Sequence, residues 1–593
     1  MTANEILDLL EEEDAEDDAF ADVTDVALFP PAENADAQSD ADSDASDEPA
    51  GLAHHLPRRM LAAGAEMTMS EAIEAAGEAA DEEEREVDGD NTEPPSKRKK
   101  RSKQQRRWHK GRAKSKSVPE FAAMHAPNAE SLVQEKCSSA YDFFRLFMDD
   151  EFLALVASQT TLYARQHNAT DWETDKDQLM TFLGILLLSG YAQLPRRRLY
   201  WQSDPDVFNE LVSSSMRRDV FENISRYLHL ADNTLLDKGA DKDPYFKIRP
   251  LFDHLNSKFK VLEKPKDLSI DESMVPYYGH HPGKQFIRCK PVRFGFKLWC
   301  ITTADGYLLH AEPYCGRATR LLETGLGQGA DVVLGLVEAC QVGPGHELFF
   351  DNLFTSVDLL EVLDARGIGA TGTLRENRRG GAPLPSKREM DKKNRGTVAE
   401  AHSGNVTLVT WKDNKSVTLA SNVHSAQPMS SKTCWSRKDR REVSIPMPKV
   451  VREYNQAMGG VDLFDEAVAA YRVHLRSKKW WRPLLNWGIN ASAVNAWRLR
   501  QKITGKKDSL LEFTRELVMQ MLTLHGSTRK RPGRPLSLPG PAGDAARKDG
   551  LRHWPRKGVT NRARCRQCGR RSAYECIKCH LPVHPECMEA FHA

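Results

Sequence analysis

Between residues 268 and 367 the spacing of the apolar residues switches repeatedly between the period of a strand and the period of a helix. Asp271 closes a strand that alternates at period two, and apolar runs on both sides of Asp305-Gly306 predict a β-hairpin. A helix, a buried strand that ends at Asp351 and a helix capped by Ser356 follow. This order predicts an α/β fold in which a mixed sheet is flanked by helices.

Composition and periodicity divide the rest of the 593-residue chain. We expect a disordered arm over residues 1–116, which nearly lack aromatic residues, because too little apolar surface is available to offset the entropy of ordering. Helical periodicity predicts a helical domain over 117–262, and short strand patterns predict a β-rich insertion over 376–445. The other expected parts are the α/β domain at 263–375 and 446–471, a helical segment at 472–525, a basic Pro/Gly linker at 526–560 and a cysteine-rich finger at 561–593.

The arm is strongly polarised in charge. Residues 1–50 contain 18 acidic residues and no Lys or Arg, whereas residues 97–116 contain 12 basic residues and no acid. The basic run Lys97-Arg98-Lys99-Lys100-Arg101 is typical of segments that bind a nuclear import receptor by charge. We therefore expect a nuclear protein.

No segment resembles a membrane span or a secretion signal. The apolar stretches are shorter than the roughly 18 to 20 residues that cross a bilayer, and the amino terminus is acidic. We expect a soluble intracellular protein without a membrane partner, in which clustered cysteines bind metal and do not form disulfides.

Four aspartates occupy positions that suggest chemistry. Asp271 and Asp351 end apolar strands, and Asp462 and Asp465 lie three residues apart, on one face of a predicted helix. Carboxylates brought together repel unless a cation lies among them, and two divalent ions held in this way catalyse phosphodiester transfer. The oxygen ligands favour Mg²⁺, so two Mg²⁺ ions are expected, although capping or turn formation is the commoner role of a single Asp.

The segments around these acids are long and ordered. They read Ser269-Ile270-Asp271-Glu272, Phe350-Asp351-Asn352-Leu353-Phe354-Thr355-Ser356 and Tyr454-Asn455-Gln456-Ala457-Met458-Gly459-Gly460-Val461-Asp462. They resemble the three acidic signatures of the piggyBac transposase superfamily, and Lys290-Pro291-Val292-Arg293-Phe294-Gly295 also fits. The resemblance runs from about residue 140 to 500 and returns in the cysteine-rich tail.

This resemblance implies a ribonuclease-H-like catalytic core, split by the insertion, and a helical domain for dimerisation and DNA binding. By matching motif, Asp271, Asp351 and Asp462 correspond to the catalytic triad, and Asp465 to a further acid that the family needs. The implied activity is Mg²⁺-dependent cleavage and rejoining of double-stranded DNA at transposon ends, through a hairpin intermediate and a TTAA target, by a homodimer. Many relatives are domesticated copies, so a DNA-binding protein without cleavage activity is the alternative.

Basic and aromatic residues follow the last acids. Lys and Arg beside Trp can hold phosphates and stack on an unpaired base. The candidates for DNA contact are Arg476, Lys478, Lys479, Trp480 and Trp481. A buried position in the core is the other role for a Trp, and we expect it for Trp487 and Trp497.

The tail carries closely spaced cysteine and histidine residues that predict one or two Zn²⁺ ions, because two-residue spacing aims both side chains at one tetrahedral ion. The predicted ligands are Cys565, Cys568, Cys576, Cys579, His584, Cys587 and His592. In a cross-brace, Cys565, Cys568, His584 and Cys587 fill one site. The other site then lacks a ligand, for which His580 is the candidate.

Basic residues surround this predicted finger. Arg564, Arg570 and Arg571 lie within it, and Arg531 and Arg534 belong to a linker segment similar to minor-groove hooks. We expect these residues to add salt-dependent affinity for DNA. A protein-interaction module of the RING or PHD type is another interpretation of the tail, but its basic surroundings suit phosphate better.

Overall fold

The computed structural model describes residues 106–111, 133, 135–236, 243–287, 290–316, 319–436, 440–526, 548, 553–558 and 563–593, and the backbone of 23–28 and 65–69. The chain forms two compact units, Met1–Ser527 and Thr528–Ala593. Within the described residues, every helix is too short or too polar to cross a membrane.

The described helices of the first unit lie between residues 140 and 525. The α-helices of this unit are Ala140–Arg145, Asp150–Gln166, Lys176–Tyr191, Glu210–Ser215, Arg218–Tyr227, Arg249–Lys258, Gln328–Ala339, Val357–Ala365, Lys387–Asp391, Lys449–Ala457, Gly460–Ala470, Arg482–Thr504 and Leu510–His525. Short 3₁₀ helices cover Arg197–Trp201, Asn233–Leu235, Phe259–Val261 and Glu376–Arg378. Side-chain caps begin several of them, because Ser139, Asp149 and Asp175 each accept a hydrogen bond from a backbone N–H of the first turn.

The strands of the first unit lie mostly in one large mixed sheet. In chain order they are β1 Val23–Leu28, β2 Ala65–Met69, β3 His109–Lys110, β4 Asp267–Pro276, β5 Lys284–Phe286, β6 Phe294–Thr303, β7 Leu308–Pro313, β8 Glu347–Phe350, β9 Gly369–Thr373, β10 Val398–Ser403, β11 Val406–Lys412, β12 Ser416–Ser421, β13 Ser430–Ser436 and β14 Arg441–Met447. The sheet order is β2-β1-β5-β6-β4-β8-β9-β12-β11-β10-β3, with β7 on β6, while β13 and β14 form a separate hairpin.

Two central strands of this sheet, β4 and β8, position Asp271 and Asp351. β4 pairs antiparallel with β6 and parallel with β8, and β8 pairs parallel with β9. The helices Gln328–Ala339 and Val357–Ala365 connect β7 to β8 and β8 to β9. The predicted hairpin about Asp305-Gly306 forms between β6 and β7. The predicted α/β fold with a mixed sheet and flanking helices is confirmed.

Three details differ from the sequence-based expectations. Asp271 does not close its strand, because β4 continues to Pro276 in register with β6. β1 and β2 lie in the arm expected to be disordered. The strands of the insertion also extend the central sheet, since Leu419 of β12 pairs with Thr373 of β9.

The long helix Arg482–Thr504 is fixed to the sheet by one side chain. The Asn495 side chain accepts a hydrogen bond from the backbone N–H of Leu308 (2.9 Å) and donates one to its carbonyl (2.8 Å). On the same helix, Trp487 stacks on Phe252 with ring centroids 5.8 Å apart, and Trp497 packs against the same core. The expected core position of Trp487 is confirmed, whereas Trp497 is only partly buried against that core.

The second unit is small. It contains the antiparallel strands β15 Pro555–Lys557 and β16 Tyr574–Cys576, the 3₁₀ helix Pro585–Cys587 and the helix Met588–His592. Its buried cluster consists of Cys565, Cys576, Cys579, Val583, Met588 and Phe591. Since half of these residues are cysteines, apolar burial alone supplies little stability here.

Candidate active site and metal centres

Asp271 and Asp351 lie side by side because their strands are parallel neighbours. Ile270 of β4 pairs with Phe350 of β8, so the next residue of each strand is an aspartate. Adjacent strands are about 4.8 Å apart, so the two residues that follow this pair lie next to each other. Asp351 leaves the strand there, and its Oδ1 accepts a hydrogen bond from the N–H of Leu353 at 2.8 Å.

The helix Gly460–Ala470 brings the other two aspartates to this place. Its first residue, Gly460, lies directly on the backbone of β6, and Ser269 Oγ of β4 donates a hydrogen bond to the carbonyl of Met458 at 2.6 Å. Asp465, one turn after Asp462, accepts a hydrogen bond from Ser273 Oγ at 2.6 Å. The structure therefore places Asp271, Asp351 and Asp465 on or beside β4, whereas Asp462 is exposed on the same helix and reaches the site through its charge interaction with Lys290.

Two further charged groups of this site were not predicted from the sequence. Glu272 is buried, and its Oε2 has no hydrogen-bond partner. The Lys290 ammonium lies 3.5 Å from Glu272 Oε1 and 4.0 Å from Asp271 Oδ2. Both residues belong to the motifs that resemble the family, but nothing in their spacing indicates that their side chains meet.

Burial and mutual repulsion raise the pKa of the acids. Burial raises the pKa of Asp351 to about 6, with a contribution from the charge of Glu272. Burial also raises the pKa of Asp465 to about 7, with a contribution from Asp462. The pKa of Asp271 lies well above its usual range because of burial and the adjacent Glu272. A site that disfavours its own carboxylate charges is one that an added cation stabilises.

The donor set fits a hard divalent cation, although the carboxylates are not drawn close together. Within the described residues, groups of three or more ligand atoms less than 4.8 Å apart occur in the second unit and not among these acids. The acidic site nevertheless offers only oxygen ligands, and the buried Glu272 Oε2 lacks a partner. These features suit Mg²⁺, which combines one or two carboxylates with water and substrate phosphate.

The first metal-type group of the second unit agrees with the predicted set. It consists of Cys565, Cys568, His584 and Cys587, whose ligand atoms all lie within 4.8 Å of one another. Cys568 Sγ is 3.3 Å from His584 Nδ1, and His584 Nε2 is 2.8 Å from the carbonyl of Arg571. That outer contact orients the imidazole, as is usual for metal-binding histidines.

The second group corrects one predicted ligand. Cys576, Cys579 and His592 are joined by His553, and not by His580. His553 Nδ1 lies 3.4 Å from the sulfur atoms of both Cys576 and Cys579. His580 is exposed, in a turn with φ of +56°, where its N–H donates to the carbonyl of Cys576. His553 precedes the cysteine-rich run by several residues. The sequence indicated that this site needed a fourth ligand, but not that His553 supplies it.

Two of the predicted DNA contacts are wrong, because their side chains are buried. Trp481 is fully buried, and its ring lies 5.7 Å from that of His229. Lys479 is also buried, and its ammonium donates hydrogen bonds to the carbonyls of Arg226 and Leu228. Both side chains hold the segment against the helical domain.

The other candidates for DNA contact differ in exposure. Arg476 and Lys478 are exposed, whereas Trp480 is half-buried, with its ring 4.1 Å from that of His281. In the second unit, Arg564, Arg570 and Arg571 are exposed. Arg531 and Arg534 lie outside the described residues.

Comparisons with known proteins agree on one family. A family model described as Transposase IS4 matches residues 139–497, which is more than half of the chain. The human PiggyBac transposable element-derived protein 3 is 34% identical over 605 residues, covering 100% of this chain and 99% of its own length. The human PiggyBac transposable element-derived protein 2 is 33% identical over 561 residues, covering 93% of this chain and 90% of its own length.

A solved structure shares the fold. The cryo-EM structure of the piggyBac transposase synaptic complex with hairpin DNA aligns with a TM-score of 0.57 and 21% identity, covering 76% of this chain and 98% of that one. With the acidic signatures on β4, after β8 and on the helix Gly460–Ala470, this chain belongs to the piggyBac superfamily of transposases.

Proposed function

We propose that this protein is a DNA transposase that cleaves transposon ends and rejoins them by metal-dependent phosphodiester transfer. The observation that carries the proposal is the placement of Asp271, Asp351, Asp462 and Asp465, from three separate elements of the fold, around one site. A merely structural role does not account for the buried Asp271 and Glu272 and the neighbouring acids, whose carboxylate charges oppose one another.

In this proposal Asp271, Asp351 and Asp462 hold two Mg²⁺ ions. Bound Mg²⁺ supplies activation of the attacking hydroxyl and stabilisation of the leaving oxygen. Asp465, fixed by Ser273 Oγ, adds negative charge beside Asp462. The parallel strands β4 and β8 hold Asp271 and Asp351 rigidly, so little reorganisation is needed when a phosphate enters.

The proposed reaction has four transfers. A water oxygen attacks the phosphorus at the transposon end, and the 3′-oxygen leaves with a proton. That 3′-hydroxyl then attacks a phosphodiester of the opposite strand, forms a hairpin on the transposon and releases the 3′-hydroxyl of the flanking strand. Water opens the hairpin and frees the transposon 3′-hydroxyl, which attacks a phosphodiester of a TTAA target and displaces a target 3′-hydroxyl. The solved structure that shares this fold is a synaptic complex with hairpin DNA, which supports this order by relationship.

DNA binding is assigned to the exposed cations and to the tail. Each of the two Cys/His groups offers four ligands of the type that tetrahedral Zn²⁺ prefers, so two Zn²⁺ ions would fold the second unit. Arg564, Arg570 and Arg571 are exposed and would then contact DNA phosphates from a folded backbone.

Two transposon ends must be held together, so the active form is proposed to be a homodimer. The basic run 97–101 is proposed to bind an import receptor that carries the protein into the nucleus.

A second candidate function is binding without cleavage. The names of both human relatives describe proteins derived from a transposable element, and the acids of this chain are not closely grouped. A protein of this kind would recognise transposon-like DNA through its finger and leave the strands intact.

An excision assay separates the two candidates. Purified protein with Mg²⁺ and a transposon-end duplex is expected to give nicks and hairpins. Asp351→Asn is expected to abolish both products while DNA binding persists, whereas Asp253→Asn, the same change at an exposed residue, keeps them. Products that survive Asp351→Asn contradict the site, and binding without products by the unaltered protein supports the second candidate.

A further inference from the structure

Lys290 is the cation in closest contact with the acidic site. Its ammonium is 3.5 Å from Glu272 Oε1 and 4.0 Å from Asp271 Oδ2, and it donates a hydrogen bond to the carbonyl of Glu272 at 3.3 Å. It also interacts electrostatically with Asp462 and Asp465, on the facing helix. Its side chain, 26% exposed, therefore lies where the charges of β4 and of the helix Gly460–Ala470 converge.

The site holds more negative than positive charge. Asp271, Glu272, Asp351, Asp462 and Asp465 contribute to it, and Lys290 and Arg375 are cations that interact electrostatically with these acids. Arg375 lies near Asp351, where its Nε donates to Asn352 Oδ1 at 3.1 Å. Lys290 therefore supplies the positive charge on the β4 side of the site.

The contacts of Lys290 with the acids are loose. Its distances to the two carboxylates exceed those of a charge-assisted hydrogen bond, which is about 2.7 to 2.9 Å. Its ammonium ends a flexible four-carbon stem with rotatable donors. Such a group balances charge without being locked, so it can leave the carboxylates without breaking a tight network.

We propose that Lys290 is a resident counter-ion that competes with divalent cations for the carboxylates of the acidic site. The inference rests on the proposed function, since it concerns metal binding at that site. An ammonium and a divalent ion a few ångströms apart repel strongly, so the metal enters as Lys290 swings away. When DNA enters the site, one of its phosphates binds the Lys290 ammonium in place of the carboxylates. Metal binding is therefore coupled to the presence of DNA.

The role differs from that of an ordinary ion pair. Removing one partner of an ordinary pair destabilises the fold and improves nothing. Removing the charge of Lys290 should destabilise the metal-free protein and at the same time strengthen metal binding. These opposite effects on two measurements separate the proposal from a structural role.

The test measures Mn²⁺ binding to the full chain with its zinc retained, by electron paramagnetic resonance without DNA. Lys290→Gln is expected to bind Mn²⁺ about tenfold more tightly than the unaltered protein, or tighter still. Lys290→Arg keeps the charge and is expected to stay within about threefold. With a transposon-end duplex present, the difference between Lys290→Gln and the unaltered protein should shrink. Equal or weaker binding by Lys290→Gln overturns the proposal.

Two controls keep the result interpretable. Lys290→Met retains the apolar stem and replaces Lys290→Gln if the latter does not fold; thermal unfolding should show a lower melting temperature without Mn²⁺ and recovery with it. Asp351→Asn tests the site itself. If Asp351→Asn leaves Mn²⁺ binding unchanged, the proposed function fails; if it weakens binding while Lys290→Gln and Lys290→Met do not strengthen it, only the inference on Lys290 fails.

Discussion

The carbonyl oxygen of Thr303 lies 2.3 Å from the position that a Cβ atom on Gly460 would occupy. No side chain fits in that space, because the nearest atoms on this side belong to the backbone of β6 and to Thr302 Oγ1 at 2.6 Å. The first residue of the helix Gly460–Ala470 therefore rests directly on the sheet, and this contact sets how far Asp462 and Asp465 stand from Asp271.

Replacing Gly460 should consequently move the acids without removing any of them. In Gly460→Ala the helix must shift away from β6, so we expect the rate of DNA cleavage to fall about 100-fold or more, with Mn²⁺ binding weakened. Gly459→Ala is the matched control, since its Cβ would meet no atom within 4 Å. Both variants are compared by single-turnover cleavage and by Mn²⁺ titration; equal rates for the two variants contradict the positioning role of Gly460.

The raised pKa of Asp465 predicts a dependence of stability on pH. Between the unfolded pKa of 3.8 and the folded pKa of about 7, the folded state binds the proton and the unfolded state does not. Stability of the metal-free protein therefore falls as the pH rises through this window. Asp465→Asn removes the buried charge and should stabilise the metal-free protein at pH 8, by about 2 kcal/mol, with a smaller gain at pH 5.

Thermal unfolding in buffer without added Mg²⁺, with the zinc retained, measures this effect. Asp253→Asn, at an exposed position, should change the melting temperature little at either pH. Addition of Mg²⁺ should reverse the order of Asp465→Asn and the unaltered protein, because the unaltered site binds the ion more tightly. A variant that is no more stable than the unaltered protein at pH 8 would falsify the view that the site stores unfavourable charge.

The strands that lead to Asp271 and Asp351 were predictable from their apolar patterns, although β4 continues to Pro276 beyond Asp271. Their parallel pairing was not predicted. The position of the helix Gly460–Ala470 against the sheet was not predictable from these apolar patterns. It depends on Gly460 touching Thr303, a contact between residues far apart in the chain. Lys290 and Glu272 escaped notice for the same reason, since the ammonium meets Glu272 only after β4 has paired with β6.

The errors among the predicted DNA contacts have a physical cause as well. A run of Lys, Trp and Arg has the same composition whether its side chains face phosphate or the core. In the folded chain the ring of Trp481 fills the core, and the ammonium of Lys479 donates hydrogen bonds to two backbone carbonyls. Burial of a cation beside carbonyl groups follows from tertiary packing, which spacing along the chain does not encode.

The ligand set of the tail predicts a difference between two histidines. His553→Ala removes one ligand of the group with Cys576, Cys579 and His592, so the zinc content should fall from about two ions to about one per chain. His580→Ala should retain both ions, because His580 lies outside both groups. Zinc is measured by mass spectrometry of the metal after gel filtration; loss of an ion in His580→Ala and not in His553→Ala restores the sequence-based assignment.

Arg476 and Lys479 should affect DNA binding in different ways, although they are three residues apart. Arg476 is exposed, so Arg476→Ala is expected to weaken binding and to lower the slope of log affinity against log salt by about 1, which corresponds to one phosphate contact. Lys479→Ala leaves the carbonyls of Arg226 and Leu228 without their donor, so it should cost about 1 to 3 kcal/mol of folding stability and leave the slope unchanged. Salt titrations of binding to a transposon-end duplex, together with thermal unfolding of each variant, check both expectations. A reduced slope in Lys479→Ala at unchanged stability would mean that its ammonium leaves the core to contact DNA.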